Sequence, residues 1–302
     1  MKVFLTGGTG FIGNTLTGKL LDQGHQVTIL TRKRTKIKKT IKGVSYIEGE
    51  PTREGEWQKE VSKHEVLINL AGASIFRRWT KKAKEGIRNS RILTTRNLVE
   101  AMAGSNGKER TLISASAIGY YGFHGHEELD EENPSGNDFL ASLCRDWEDE
   151  ALRGEGIGVR VLICRLGIVL GKKGGALNEM LPIFKKGMGS PLGSGRQWFS
   201  WIHEKELVEI FLFLLNHRDL KGSYNCSSPQ PVQNKEFTRA LQDELGKRAL
   251  MPAVPGFIIK ALKGEFGSVL LQGQRVLPKK LMDAGYIFRF PNLRDALHDL
   301  LL

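Results

Sequence analysis

The chain has 302 residues, 40% hydrophobic and 26% charged, which excludes a disordered polymer and allows one large α/β domain with a smaller appended region. Lysine and arginine outnumber aspartate and glutamate by 45 to 33, a formal charge of +12, yet the basic residues are dispersed and accompany no nucleic-acid-binding motif. Cys144, Cys164 and Cys226 are odd in number and lack CxxC spacing, which excludes a disulfide frame and a zinc site.

No run approaches the roughly 20 apolar residues that span a bilayer. A strand begins at Lys2 and leaves no room before it for a signal peptide. The expectation is a cytoplasmic protein with neither nucleic acid nor membrane as partner.

Residues 3–6 are a short apolar run, followed by GGTGFIG and then Phe11, Ile12, Leu16, Leu20 and Leu21 at helical spacing. Gly24 ends that helix as a cap, and residues 26–30 form a second apolar strand. Strand, turn, helix and strand within about 30 residues make the unit of a right-handed parallel crossover. The alternation continues with VLINLAG (66–72), a helical pattern over 82–102, TLISAS (111–116), a helix over 137–152 and VRVLICRLG (159–167). Strands that are apolar throughout and separated by helices predict a Rossmann-type, doubly wound parallel sheet covered on both faces.

From Gly171 the pattern changes. Glycines, prolines and aromatics cluster over 187–203, and helices then predominate. We expect a Rossmann domain over 1–170 and a smaller, mainly helical substrate region over 171–302. The boundary is soft, because helices beyond it can pack on the first sheet.

Gly7, Gly10 and Gly13 fit GxxGxxG, between a strand and an amphipathic helix. Such a turn brings backbone close to a pyrophosphate and aims a helix N-terminus at its charge. Gly7, Thr9, Gly10, Phe11, Ile12 and Gly13 are therefore the predicted lining of a dinucleotide site. Where an acidic group would bind the ribose of NAD, the sequence reads ILTRKR, with Thr31 and Arg32 and no carboxylate nearby. A guanidinium binds a 2′-phosphate through two parallel hydrogen bonds, so NADP(H) is the expected cofactor. Lys36, Lys38, Lys39 and Lys42 read better as a solvated loop.

Asn69, Leu70, Ala71 and Gly72 form the next turn, where small residues let backbone approach the riboses. Ser114 and Ser116 end the strand that follows, facing the nicotinamide or serving turn chemistry. Arg91, on the long helix, reaches toward the pyrophosphate or faces solvent.

GGTGFIG, NLAG, SASAIGYYG and RLGIVLG in this order resemble an extended short-chain dehydrogenase/reductase. SGRQWFSWIH, YNCSSPQPV and the tail LQGQRVLPKKLMDAGYIFRFPNLRDAL are similar to the epimerase family of the SDR39U1/YfcH type. That resemblance covers nearly the whole chain and implies NADP contacts at Thr31, Arg32, Asn69, Leu70, Arg91 and Arg165. Active dehydrogenases of this fold carry a tyrosine and, four residues later, a lysine that lowers the phenol's pKa and holds the nicotinamide ribose. Counting back from Glu148 puts those positions at Leu140 and Cys144, and DFLASLCRDWE contains no YxxxK.

Ser116 and Tyr121 are the substitute catalytic candidates, with packing as the alternative for the tyrosine. His203, among tryptophans, is as readily a core residue as a catalyst. No metal site is expected. Two functions fit: an NADP(H)-dependent oxidoreductase or epimerase acting on an unidentified small molecule, or an NADP(H)-binding sensor or scaffold with little turnover. The oligomeric state is open, a homo-oligomer included.

Overall fold

A computed structural model describes residues 1–36, 40–103, 109–247 and 252–302. Seven parallel strands form the central sheet: β1 (Lys2–Thr6), β2 (Gln26–Thr31), β3 (Val44–Glu48), β4 (Val66–Asn69), β5 (Arg110–Ala117), β6 (Val159–Leu166) and β7 (Gly222–Cys226). Their order across the sheet is β7-β6-β5-β4-β1-β2-β3. The chain leaves β1 for β2 on one side and returns to β4 on the other, which opens a crevice at the carboxyl ends of β1 and β4. This is the doubly wound Rossmann architecture the alternation predicts.

Strand side chains alternate between two helical layers. Val3, Leu5 and Ile29 pack with Leu16 and Leu20 of α1 (Phe11–Asp22) and with Leu207 and Phe211 of α5 (Glu204–Asn216), so both faces are defined by single-residue alternation. On the opposite face Phe4 and Leu67 meet Leu98 and Val99 of α2 (Lys81–Met102) and Ala151 of α3 (Phe139–Leu152). Each large aliphatic side chain so buried contributes about 1.5–3 kcal/mol.

Caps set the helix starts. Thr80 accepts from the Ala83 amide, so α2 begins one residue before the pattern suggests. Asp138 accepts from the Leu140 and Ala141 amides, so α3 begins two residues after it. Gly24 sits at φ +78 just past α1, as its cap role requires.

Two strands escaped the periodicity. β3 has mixed exposure along its length, and β7 comes from beyond residue 170 to pair with β6. The later part of the chain thus adds a strand and α5 to the first sheet. Its own core gathers Trp201, Phe199, Phe237, Phe290 and Leu297 beneath α4 (Gly175–Lys185) and the helices Asn234–Glu244 and Leu293–Leu301. Among the described residues no helix is long and apolar enough to cross a membrane, and no cluster could hold a metal ion.

Candidate dinucleotide site

The turn after β1 leaves no room for side chains. Gly7 has φ +71, and a methyl group on it would lie 2.6 Å from the carbonyl carbon of Leu70. A methyl on Gly13 would come 2.3 Å from the Gly7 carbonyl oxygen. The β1 turn and the β4 turn are therefore pressed backbone to backbone. Helix α1 opens at Gly10 with no side-chain cap and no acidic residue in its first turn, so its N-terminal amides are left to a ligand.

Phe11 turns its ring into a slot of the later region. Methyl groups on Gly171 and Gly174 would come 2.0 Å and 2.5 Å from its ring atoms. This glycine slot ties the loop before α4 to the start of α1. Sequence reasoning missed it, although the paired glycines of GKKGGAL were a signal.

Asn69 fixes the crevice rather than projecting into it. It is fully buried, accepts from the Thr6 hydroxyl at 2.6 Å and donates to Thr95 at 2.8 Å. Ser114 is also fully buried, 3.4 Å from the Asn69 amide nitrogen. Around this anchor the Leu70, Ala71 and Gly72 backbone forms the β4 turn, and the Arg91 guanidinium lies against Gly72.

At the end of β2, Thr31 is half-buried and Arg32 is exposed, with no ion pair among the described residues. One expectation needs correction. β3 pairs Thr31 with Glu48, so a carboxylate does stand at this end of the sheet, where its Oε2 accepts from the Arg34 amide at 3.1 Å. Separation along the chain hid it. Lys38, Lys39 and the side chain of Lys36 lie outside the described residues.

The positions of the absent proton-transfer pair lie on one face of α3. Leu140 packs beside Trp79, Phe139 and Leu143 under Phe266 and Leu270, an apolar cluster. Cys144 is buried, and burial with the nearby Glu148 charge pushes its thiol up to about 12. Neither side chain exchanges a proton near neutral pH.

Ser116 and Tyr121 meet in a closed network. The Ser116 hydroxyl donates to Glu148 Oε1 at 2.6 Å, and Arg165 donates to both Glu148 oxygens, at 2.9 and 2.8 Å. The Tyr121 hydroxyl donates to Asn225 Oδ1 at 2.7 Å and accepts from Arg165 at 3.0 Å. The register explains the meeting, because Ser116, Arg165 and Asn225 are side by side on β5, β6 and β7. Burial pushes the Tyr121 phenol above its ordinary range, and the Arg165 charge only partly opposes it. The Arg165 guanidinium, also stacked 3.5 Å from the Tyr120 ring centroid, is spent on protein partners. His203 is fully buried, stacks on Phe290 and caps α5 through Nδ1, which accepts from the Lys205 amide at 3.0 Å. An open cavity of about 500 Å³ lies beside this network, lined by Phe123, His124, Glu127, Asn133 and Asp138.

A glycine turn pressed onto its neighbour, an uncapped helix start and a crevice at the strand reversal define a dinucleotide-binding protein of the short-chain dehydrogenase/reductase fold. The chain belongs to the NAD dependent epimerase/dehydratase family, whose model matches residues 3–227, and a domain of unknown function (DUF1731) matches residues 254–300. It is 40% identical to the chloroplastic epimerase family protein SDR39U1 homolog of Arabidopsis thaliana, covering 98% of this chain and 86% of that one. It is 37% identical to the epimerase family protein YfhF of Bacillus subtilis, covering 100% and 98%. Among solved structures it resembles human epimerase family protein SDR39U1 (isoform 2) with NADPH, at 32% identity, TM-score 0.87 and 99% coverage of both chains.

Proposed function

We propose that this protein binds NADP(H) across the carboxyl ends of β1, β2 and β4, and that it handles an unidentified small molecule without the tyrosine–lysine pair. The observation that carries the reading is the glycine turn at Gly7 and Gly13, packed so closely on its own backbone and on the β4 turn that no Cβ fits, beside the uncapped start of α1. These residues suit a pyrophosphate. Arg32, exposed and in no ion pair among the described residues, suits a 2′-phosphate, and the human relative with NADPH supports the same choice. Bound NADP(H) would supply hydride chemistry at its nicotinamide. Arg32 would hold the phosphate, and the Leu70–Gly72 backbone would line the riboses.

A second reading is favoured by Leu140 and Cys144. With an apolar side chain and a protonated thiol at the proton-transfer positions, the protein serves as an NADP(H)-binding sensor or scaffold with little turnover. Both readings place it in the cytoplasm, with no role for nucleic acid or membrane.

Titration with NADPH and NADH tests the shared part. NADPH is expected to bind at least tenfold tighter, with Arg32→Ala erasing most of the gap, and equal affinities would sink the assignment. Following cofactor absorbance against sugar nucleotides, ketones and quinones then separates enzyme from sensor.

A further inference from the structure

Four aromatic rings lead from the position of the absent tyrosine to the surface. Phe139, next to Leu140, meets Trp79 at 5.1 Å between ring centroids, Trp79 meets Phe266 at 5.6 Å, and Phe266 meets Phe76 at 6.0 Å. Ile75, Leu140, Val269 and Leu270 pack against the same cluster and are only partly buried. The one polar side-chain atom on this wall, Trp79 Nε1, is spent on the Ile75 carbonyl at 3.1 Å.

Where the wall reaches solvent it widens into an uncovered helix face. The helix Gly256–Lys263 is pressed onto the helix Glu265–Leu270, which carries Phe266, and a methyl on Gly267 would lie 2.6 Å from the Ile259 carbonyl oxygen. Ile259 is the one buried residue of the first helix. Phe257, Ile258, Ala261 and Leu262, at i, i+1, i+4 and i+5, share another face that is left exposed, with Phe257 and Leu262 74% and 71% accessible. Phe76 is exposed as well. Large apolar side chains gathered in water mark a binding surface.

Charge selects the occupant. Arg77 and Arg78 follow Phe76, and Lys260 and Lys263 stand on the uncovered helix; all four are exposed and in no ion pair among the described residues. Arg78 Nε would lie 3.5 Å from a methyl on Gly264, the residue between the two helices. The one carboxylate on these segments, Glu265, is paired with Lys84 at 2.7 Å. Cations of one sign around an apolar surface draw in anions. A second copy of this chain meeting the patch with its own would set like charges together, whereas an apolar molecule with an anionic group satisfies both features.

Resting on the NADP(H) reading, which sets the nicotinamide beside the tyrosine's position at Leu140, we propose that the small molecule this protein handles is an amphipathic anion: a hydrocarbon body with one carboxylate, sulfonate or phosphate group. The body lies on the wall from Leu140 to Phe76 and on the uncovered helix face, and the anionic group meets Arg77, Arg78 and Lys260. A sugar nucleotide is disfavoured, because its sugar hydroxyls would lose water against this wall and gain no partners.

The test titrates NADPH-saturated protein by calorimetry with decanoate, with decanol and with UDP-glucose. Decanoate is expected to bind at least tenfold tighter than decanol, and UDP-glucose not to bind. Phe76→Ser combined with Leu262→Ser is expected to weaken decanoate at least tenfold. Arg78→Gln combined with Lys260→Gln is expected to bring decanoate within threefold of decanol, and both double variants to keep NADPH affinity within twofold of wild type. UDP-glucose binding tighter than decanoate, decanol matching decanoate in wild type, or decanoate binding that both double variants leave intact would each overturn the proposal. So would another occupant: a dimer in sedimentation velocity that Leu262→Ser breaks up, or attachment to phosphatidylglycerol vesicles by protein that ignores free decanoate. NADPH binding, measured first, reports on the NADP(H) reading alone. Its absence overturns that reading, and tight NADPH binding without decanoate binding overturns only this proposal.

Discussion

Arg165 and Glu148 meet as a two-pronged ion pair inside the protein, with side chains 5% and 4% exposed. The pair joins β6 to α3 and takes the Ser116 hydroxyl as a third member. Removing one partner of a buried pair strands the other charge, at a cost of about 3–5 kcal/mol. Glu148→Gln is expected to lose stability on that scale in urea unfolding. A loss under about 1 kcal/mol would mean the pair is solvated in solution.

Tyr121→Phe tests the same network from its other end. The hydroxyl bonds Asn225 and Arg165 in a buried setting, so its loss is expected to cost about 1–3 kcal/mol in unfolding free energy. If a turnover assay is found, the variant is expected to keep activity at temperatures where it remains folded. Selective loss of activity with unchanged stability would restore Tyr121 as a catalytic residue.

Gly7 and Gly24 share a left-handed backbone, at φ +71 and +78, but not their surroundings. A methyl on Gly24 meets nothing within 4 Å, whereas on Gly7 it strikes the β4 turn. Gly24→Ala is expected to cost about 1–2 kcal/mol from backbone strain alone and to leave NADPH affinity unchanged. Gly7→Ala should cost more and abolish NADPH binding. Comparable binding by the two variants would remove the glycine turn at Gly7 from the cofactor site.

These contrasts show what the sequence made legible. Gly7, Gly10 and Gly13 were readable because a glycine turn is a local backbone demand, met within seven residues. The absence at Leu140 and Cys144 was readable because helical spacing from Glu148 fixes both positions. Glu48 beside Thr31 was not readable, since register across β2 and β3 decides it. Nor was the capture of Ser116, Tyr121 and Arg165 in one network, because β7 had to be recognised as the strand that brings Asn225 to Tyr121. The Gly171–Gly174 slot around Phe11 joins segments about 160 residues apart, as their numbering shows, and no local pattern reports such a contact.

All three cysteines are buried and free. With the Cys144 thiol held up at about 12 by burial, a maleimide at pH 7 is expected to label none in the native protein and all three in denaturant. Native labelling at Cys144 would show that the face of α3 opposite Gly119 opens to solvent, and would reopen a thiol chemistry there.

His203 gives the pH dependence its sign. Burial lowers its pKa from 6.5 to about 4, while Asp299, 3.3 Å from Nε2 but not aligned for a hydrogen bond, opposes the shift. The unfolded chain takes up this proton first as the pH falls. The histidine's contribution is therefore whole above pH 6.5 and is lost as the pH drops toward about 4. At about 1.4 kcal/mol per unit the loss amounts to at most about 3 kcal/mol. His203→Asn keeps an acceptor at the start of α5 but cannot titrate. Urea unfolding at pH 7.5 and pH 4.5 should show wild type losing about 2–3 kcal/mol more than this variant between the two conditions. The comparison cancels the carboxylates and the other histidines, which both proteins share. Parallel losses would mean that His203 is charged or solvated in the folded protein, and the stack on Phe290 would have to be redrawn.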